Sequence, residues 1–227
     1  MRATDRWSMA RDVRRIRVRR HPDRGIYDRE TIDSILDEAI YCHVGFVEDG
    51  QPFVIPTIHA RDGDVLYLHG SRASRMIRTL GKKIPLCITV TLLDGIVLAR
   101  SQFHHSLNYR SVVVLGEGRA VKDEGERLRA LECVVDHVLP GRSVEARPPT
   151  AKELKATDLI AVDLDEASAK VRSGPPKDDD EDMDLPIWAG VVPLTMQALR
   201  PVPADGSEEM PLPASVEHLM HERDPGG

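Results

Sequence analysis

The sequence predicts an α+β fold, a small antiparallel β-barrel with peripheral helices. Strand-length apolar segments recur at short spacing, with turn residues Glu48-Asp49-Gly50, Arg61-Asp62-Gly63 and Asp94-Gly95 between them. Such spacing leaves room for hairpins and none for helical crossovers. Two longer stretches carry the 3.6-residue apolar period of helices. The 227 residues, 41% hydrophobic and 30% charged, suffice for one sizeable domain or two small ones.

The elements follow in order. Residues 1–27 hold nine Arg against three Asp, a local charge of +6 in a chain of −6, so the other 200 residues carry −12. This segment reads as a solvated or loosely docked basic arm. Nucleic acid is a poor partner, because the acidic remainder would repel phosphate. Asp28 is placed to cap a helix over Arg29–Ile40, with Ile32, Ile35, Leu36, Ala39 and Ile40 on one face. Strands are predicted at Cys42–Val47, Pro52–His59 and Asp64–His69. Ser71 would then cap a short helix at Arg72–Leu80.

Leu86–Leu93 and Ile96–Phe103 read as a hairpin about Asp94-Gly95, followed by a strand at Ser111–Val121. A helix over Glu124–Val138 is closed by Pro140-Gly141. A short helix at Ala151–Lys155 leads to a strand at Leu159–Leu164, and Gly174-Pro175-Pro176 breaks the pattern. The acidic run Asp178–Asp182 reads as a solvated loop, lacking the alternating ligands and central Gly of a calcium loop. A last strand is predicted at Ile187–Leu194, and beyond Arg200 the prolines and glycines predict a mostly disordered tail. The organisation is therefore a basic arm at 1–27, one domain at 28–195 and a flexible tail at 196–227. A closed barrel would leave no exposed strand edge.

Several chemistries are disfavoured. No apolar run approaches the ~20 residues of a membrane-spanning helix, and the Arg-rich start lacks the apolar region of a secretory signal. Cys42, Cys87 and Cys133 are widely spaced and fit no zinc pattern, which points to reduced thiols in a cytoplasmic protein. There is no Gly-x-Ser-x-Gly, HExxH or P-loop motif, so no catalytic residue and no metal site is assigned.

Two segments carry polar chemistry. In LYLHGSRASRM (66–76), the hydroxyls of Ser71 and Ser74 and the guanidinium groups of Arg72 and Arg75 gather at a strand-to-helix turn, a set suited to a phosphate dianion. A Ser-capped helix with exposed arginines is the plainer alternative. In SQFHHSLNYRSVVV (101–114), His104, His105, Asn108, Tyr109, Arg110 and Ser111 form a polar cluster between apolar strands. Adjacent His104 and His105 would face opposite sides of a strand, which argues against a shared metal.

The hairpin QPFVIPT, the HGS followed by SRM, the HHSLNYRSV stretch and the late Trp188-Ala189-Gly190 together resemble the FMN-binding split-barrel superfamily. The nearest branch is the pyridoxamine 5′-phosphate oxidase-related flavin-nucleotide-binding proteins, with the nitroimidazole-reductase-like proteins. The resemblance covers roughly residues 15–195. It implies FMN as cofactor and a homodimer with two flavins at the interface. Val54, Ile55, Pro56 and Thr57 would run beside the isoalloxazine. His69, Gly70 and Ser71 would lie near the ribityl phosphate, with Ser74 and Arg75 at the phosphate itself. Asn108, Tyr109, Arg110 and Ser111 would complete the site, and Trp188 would close it from the second subunit. Met76 stands where the oxidase has a phosphate-binding lysine, so oxidation of vitamin B6 is not implied. The implied function is an FMN-dependent oxidoreductase acting on a small molecule, with His104, His105 and Tyr109 as candidates for steering a proton. Alternatives are a flavin storage or sensor protein, and a split-barrel protein using deazaflavin or heme.

Overall fold

The computed structural model describes residues 13–222. Its strands are β1 (Gly25–Ile26), β2 (Tyr41–Glu48), β3 (Gln51–Asp62), β4 (Val65–Ser71), β5 (Pro85–Leu98), β6 (Ser106–Glu117), β7 (Arg119–Ala120), β8 (Thr157–Asp163), β9 (Glu166–Arg172) and β10 (Gly190–Pro193). The helices are α1 (Val13–Ile16), α2 (Arg29–Glu38), α3 (Arg75–Leu80), α4 (Glu124–Val138), α5 (Arg142–Glu145), α6 (Ala151–Ala156) and α7 (Ala214–Glu222). Every strand pair is antiparallel, in the order β1-β9-β6-β5-β2-β3-β4-β8-β7, with β10 added to β5. The α+β class and the split-barrel architecture are as the sequence predicts.

The barrel interior is filled from alternate strand positions. Cys42, Val44 and Phe46 of β2 meet Leu66 and Leu68 of β4, Ile88 and Val90 of β5, and Val112 and Val114 of β6. Helix α2 plugs one end with Ile32, Ile35 and Leu36, the face predicted from its period. Its start is fixed as expected, since the Asp28 carboxylate accepts from Thr31 N–H at 2.9 Å. Outside the barrel, Ala130 of α4 packs on Tyr67, Leu159 and Ala161 in a second, smaller core. Asp123 caps α4.

The sheet does not close. β3 pairs with β2 over Gln51–Ile58 but with β4 only over His59–Asp62. β4 pairs with β8 along its whole length on its other edge, so its far end (His69, Gly70, Ser71) has no strand on the β3 side. The first half of β3 therefore has one edge with no strand partner among the described residues. Pro52 and Pro56, which lack an N–H, both sit in that half, in keeping with the confinement of proline to strands with a free edge.

Other elements depart from expectation for identifiable reasons. Asp94-Gly95 is a bulge within the single strand β5, not a hairpin turn. A Cβ on Gly95 would lie 3.0 Å from Val191 Cγ1 and 3.1 Å from Val192 O, so β10 packs directly on the bulge. The helix expected at Arg72 starts at Arg75 with Ser74 as its cap position, because Ser71 is still in β4. The polar residues Ser106–Arg110 are part of β6, not a lead-in to it. Strand β9 was not predicted: EASAKVR lacks bulky apolar residues, yet Ala167 and Ala169 lie in the core. Within the basic arm, Ile16 is buried and β1 pairs with β9; residues 1–12 lie outside the described residues. In the tail, α7 forms where composition predicted no order, and Ser215 N–H donates to Glu145 of α5 at 2.9 Å.

Candidate functional site

The parting between β3 and β4 is bordered by both predicted phosphate residues and predicted ring-contact residues. Along the free edge, Ile55 and Thr57 are half-buried towards the core, while Val54 is 67% exposed and Pro56 is exposed. Across the gap, Ser74 N–H donates to Ser71 O at 2.8 Å and forms a tight turn into α3. The Ser71 hydroxyl accepts from Ala73 N–H at 3.2 Å, and Ser74 makes no side-chain cap bond. The Arg75 guanidinium lies 4.6 Å over the Phe53 ring and 3.4 Å from the Glu48 carboxylate. Phe53 thus props Arg75 beside the opening. Arg72 turns away to Asp158, 3.6 Å distant. Met76 is buried in the core and takes no part.

His69 stands at the same parting. Its Nδ1 is buried without a hydrogen-bond partner, and burial lowers its pKa, which favours the neutral imidazole. An orphaned buried acceptor or donor beside an opening is the kind of atom a ligand satisfies.

The second predicted group lies elsewhere. Arg110 is forked between Glu38 at the end of α2 and Asp94 at the bulge, bonding Asp94 Oδ1 at 2.8 Å. These two carboxylates push its pKa further up. Asn108 accepts from the buried Arg172 and donates to Gly174 O at 3.2 Å, tying down the loop after β9. The Ser111 hydroxyl donates to Lys170 O at 3.2 Å. Tyr109 is half-buried on β6. Arg75 contacts the last residue of β2, whereas Arg110 contacts Glu38, before its first. Eight strand residues, roughly 26 Å, separate them. One chain therefore does not bring Arg75 and Arg110 to a common ligand.

Trp188 lies beyond Arg110 along β5, since Gly190 pairs with Leu98 and Arg110 with Leu92. It is 66% exposed and immediately precedes β10, which pairs with Gly95–Leu98. Beside Arg110 lies an open groove of about 810 Å³ lined by Glu38, Tyr41, Leu92, Asp94, Leu194 and Met196, among others. His104 faces Asp179 at 3.1 Å, and His105 Nδ1 contacts Ser101 O at 3.0 Å. The acidic run is not simply solvated: the side chain of Asp178 is buried and accepts from Arg100 N–H and Arg100 Nη1, each at 2.8 Å. Burial raises the Asp178 pKa, but these bonds outweigh it and leave it lowered. Among the described residues, no three His, Cys, Asp or Glu side chains gather as a metal site.

Sequence reasoning missed Phe53, Glu48 and Glu38. Phe53 and Glu48 flank the Asp49-Gly50 turn, and their alternation in the hairpin was a usable signal. Glu38 was visible only as the polar end of α2.

Comparison with known proteins bears on what this geometry serves. The family model described as pyridoxamine 5′-phosphate oxidase matches residues 28–171. A search of curated proteins gives no match. Among solved structures, the flavocytochrome Anf3 from Azotobacter vinelandii is 41% identical, with a TM-score of 0.84 over 90% of this chain and 95% of that one. A protein from Mycobacterium smegmatis described as FAD- and heme-binding is 40% identical, with a TM-score of 0.83 over 86% of this chain and 97% of that one. A candidate 5-nitroimidazole antibiotic resistance protein from Bacteroides thetaiotaomicron is 26% identical, with a TM-score of 0.55 over 65% of this chain and 86% of that one. With its model spanning most of the barrel, this chain belongs to the pyridoxamine 5′-phosphate oxidase family.

Proposed function

We propose that this protein is a redox flavoprotein that binds a flavin nucleotide in the parting between β3 and β4 and acts as a homodimer. The observation that carries the reading is the unpartnered half of β3 facing a turn with two serines and an exposed guanidinium. A flat, hydrogen-bonding ring system suits the backbone of Val54–Thr57, and a phosphate suits Ser71, Ser74 and Arg75. The residues fit such a group: the Ser74 hydroxyl is not consumed by a cap, Arg75 is held by stacking, and His69 Nδ1 lacks a partner.

A bound flavin supplies hydride and electron transfer. The chain's own part is to orient the ring along β3, hold the phosphate by charge, and keep the His69 imidazole uncharged beside it. Asn108–Ser111 lie at the end of β2 away from Arg75, with Trp188 farther along β5, and in this reading they reach the flavin from a second protomer. That separation supports the homodimer. So does the exposed outer face of β2, β3 and β5, which carries Tyr41, Val47, Val54 and Leu93.

The two relatives at 40% identity or more, one of them described with FAD and heme, favour FAD over FMN. For heme, the groove beside Arg110 offers Tyr41 and Met196 as iron-ligating types and no imidazole among its lining residues. Tyr41 and Met196 leave the groove compatible with a heme without assigning it an axial ligand. The test is reconstitution of the apoprotein with FAD, FMN and riboflavin, read by flavin fluorescence. FAD should bind most tightly and riboflavin least; equal affinity for riboflavin would remove the phosphate site from the reading.

A further inference from the structure

The segment between β10 and α7 is pinned at both ends and buries nothing. At its start Leu194 N–H donates to Asp94 O at 3.1 Å, and at its end Ser215 N–H donates to Glu145 at 2.9 Å. Between them its hydrogen bonds are internal turns, Ser207 to Ala204 and Met210 to Ser207. None of residues 194–213 is buried. Long stretches without secondary structure are uncommon in compact domains and are usually functional. This one is also strongly apolar where it is most exposed: Met196, Leu199, Val202, Met210 and Leu212 are 62%, 79%, 91%, 66% and 47% exposed.

We infer that residues 194–213 form a strap that packs across the outer sheet face of a second copy of this chain. The five apolar side chains expose on the order of 700 Å², close to the ~800 Å² per partner of a stable interface. The same chain carries a matching uncovered surface, the outer face with Tyr41, Val47 and Leu93. The strap begins beside that face, next to Leu93. A two-fold axis between the two would lay each strap on the other's sheet in a self-complementary contact. Charge argues against a membrane as the occupant: the strap has Asp205, Glu208 and Glu209 against Arg200, and anionic headgroups would repel it. The inference rests on the homodimer reading above and adds to it the segment that holds the dimer.

The test is sedimentation of the full chain at micromolar concentration, for the wild type, Leu199→Asp/Val202→Asp, and the apolar control Leu199→Met/Val202→Ile. Wild type and control should run at twice the 25.3 kDa chain mass and the acidic variant at once, with unchanged far-UV circular dichroism. A dimeric acidic variant would overturn the strap while leaving the dimer standing; a monomeric wild type would overturn both. Oxidative footprinting of the wild type asks the question without substitution. Met196 and Met210 should be shielded in solution, and oxidation of both at the rate of the unfolded chain contradicts the strap.

Discussion

Arg75 and Arg110 look alike in the sequence, and their surroundings give them different work. Arg75 has one carboxylate at 3.4 Å and an aromatic ring beneath it, whereas Arg110 is shared between two carboxylates. Losing a charge-assisted bond to phosphate costs about 1.5–3 kcal/mol, roughly 10- to 150-fold in affinity. Arg75→Ala should therefore weaken FAD and FMN by that factor and leave riboflavin nearly unaffected. Arg110→Ala should lower thermal stability while changing the FMN-to-riboflavin ratio little. Titrating both variants with the two ligands separates these outcomes. A second residue-scale expectation concerns His59, which is fully buried, bonds Leu36 O at 2.9 Å and lies 4.7 Å from the His137 ring. Burial, then the His137 ring, push its pKa from 6.5 to about 4. The unfolded chain takes up this proton near 6.5 and the folded one only near 4, so stability is full above 6.5 and falls as pH drops through that window. The loss is of order 3 kcal/mol by linkage. His59→Gln should flatten the decline in Tm between pH 7 and pH 4; an unchanged slope would remove His59 as its source.

At the scale of elements, legibility followed how strongly side-chain pattern dominates local structure. The α2 face and the β2–β3 hairpin were readable because apolar period and cap or turn chemistry agree there. Strand β9 was hidden because its core residues are alanines, small enough to sit where β6 and α2 crowd the barrel. The Asp94-Gly95 bulge was mistaken for a turn because the same dipeptide serves both, and only β10, distant in sequence, decides between them. Among the candidate site residues, the turn that gathers Ser71, Ser74 and Arg75 was legible from local chemistry, though Arg72 leaves it for Asp158. The separation of Arg75 from Arg110 was not, since it depends on which end of β2 each segment reaches. The joint between β6 and β7 offers a direct test of packing. A Cβ on Gly118 would lie 2.6 Å from Leu80 O and 2.9 Å from Ile160 Cγ2. Gly118→Ala should force backbone movement and cost about 1–3 kcal/mol, seen as a lower Tm. An unchanged Tm would mean that the α3–β8 contact yields freely.

For the whole molecule, the fold explains why a site can exist where a barrel would otherwise seal itself. β3 divides its pairing between β2 and β4, its first half keeps a free edge that holds Pro52 and Pro56, and the turn into α3 sets positive charge beside it. The other predicted site residues sit at the end of β2 away from Arg75, which is why the proposed function has a second protomer complete the site. The central claim is that this opening holds a flavin nucleotide, and its most direct test is to denature the purified protein and identify the released small molecule by mass spectrometry. The account predicts a phosphorylated flavin, FAD in preference to FMN, at close to one per chain. Release of no flavin from protein purified without cofactor loss, together with failure of the apoprotein to take up FAD or FMN, would contradict it.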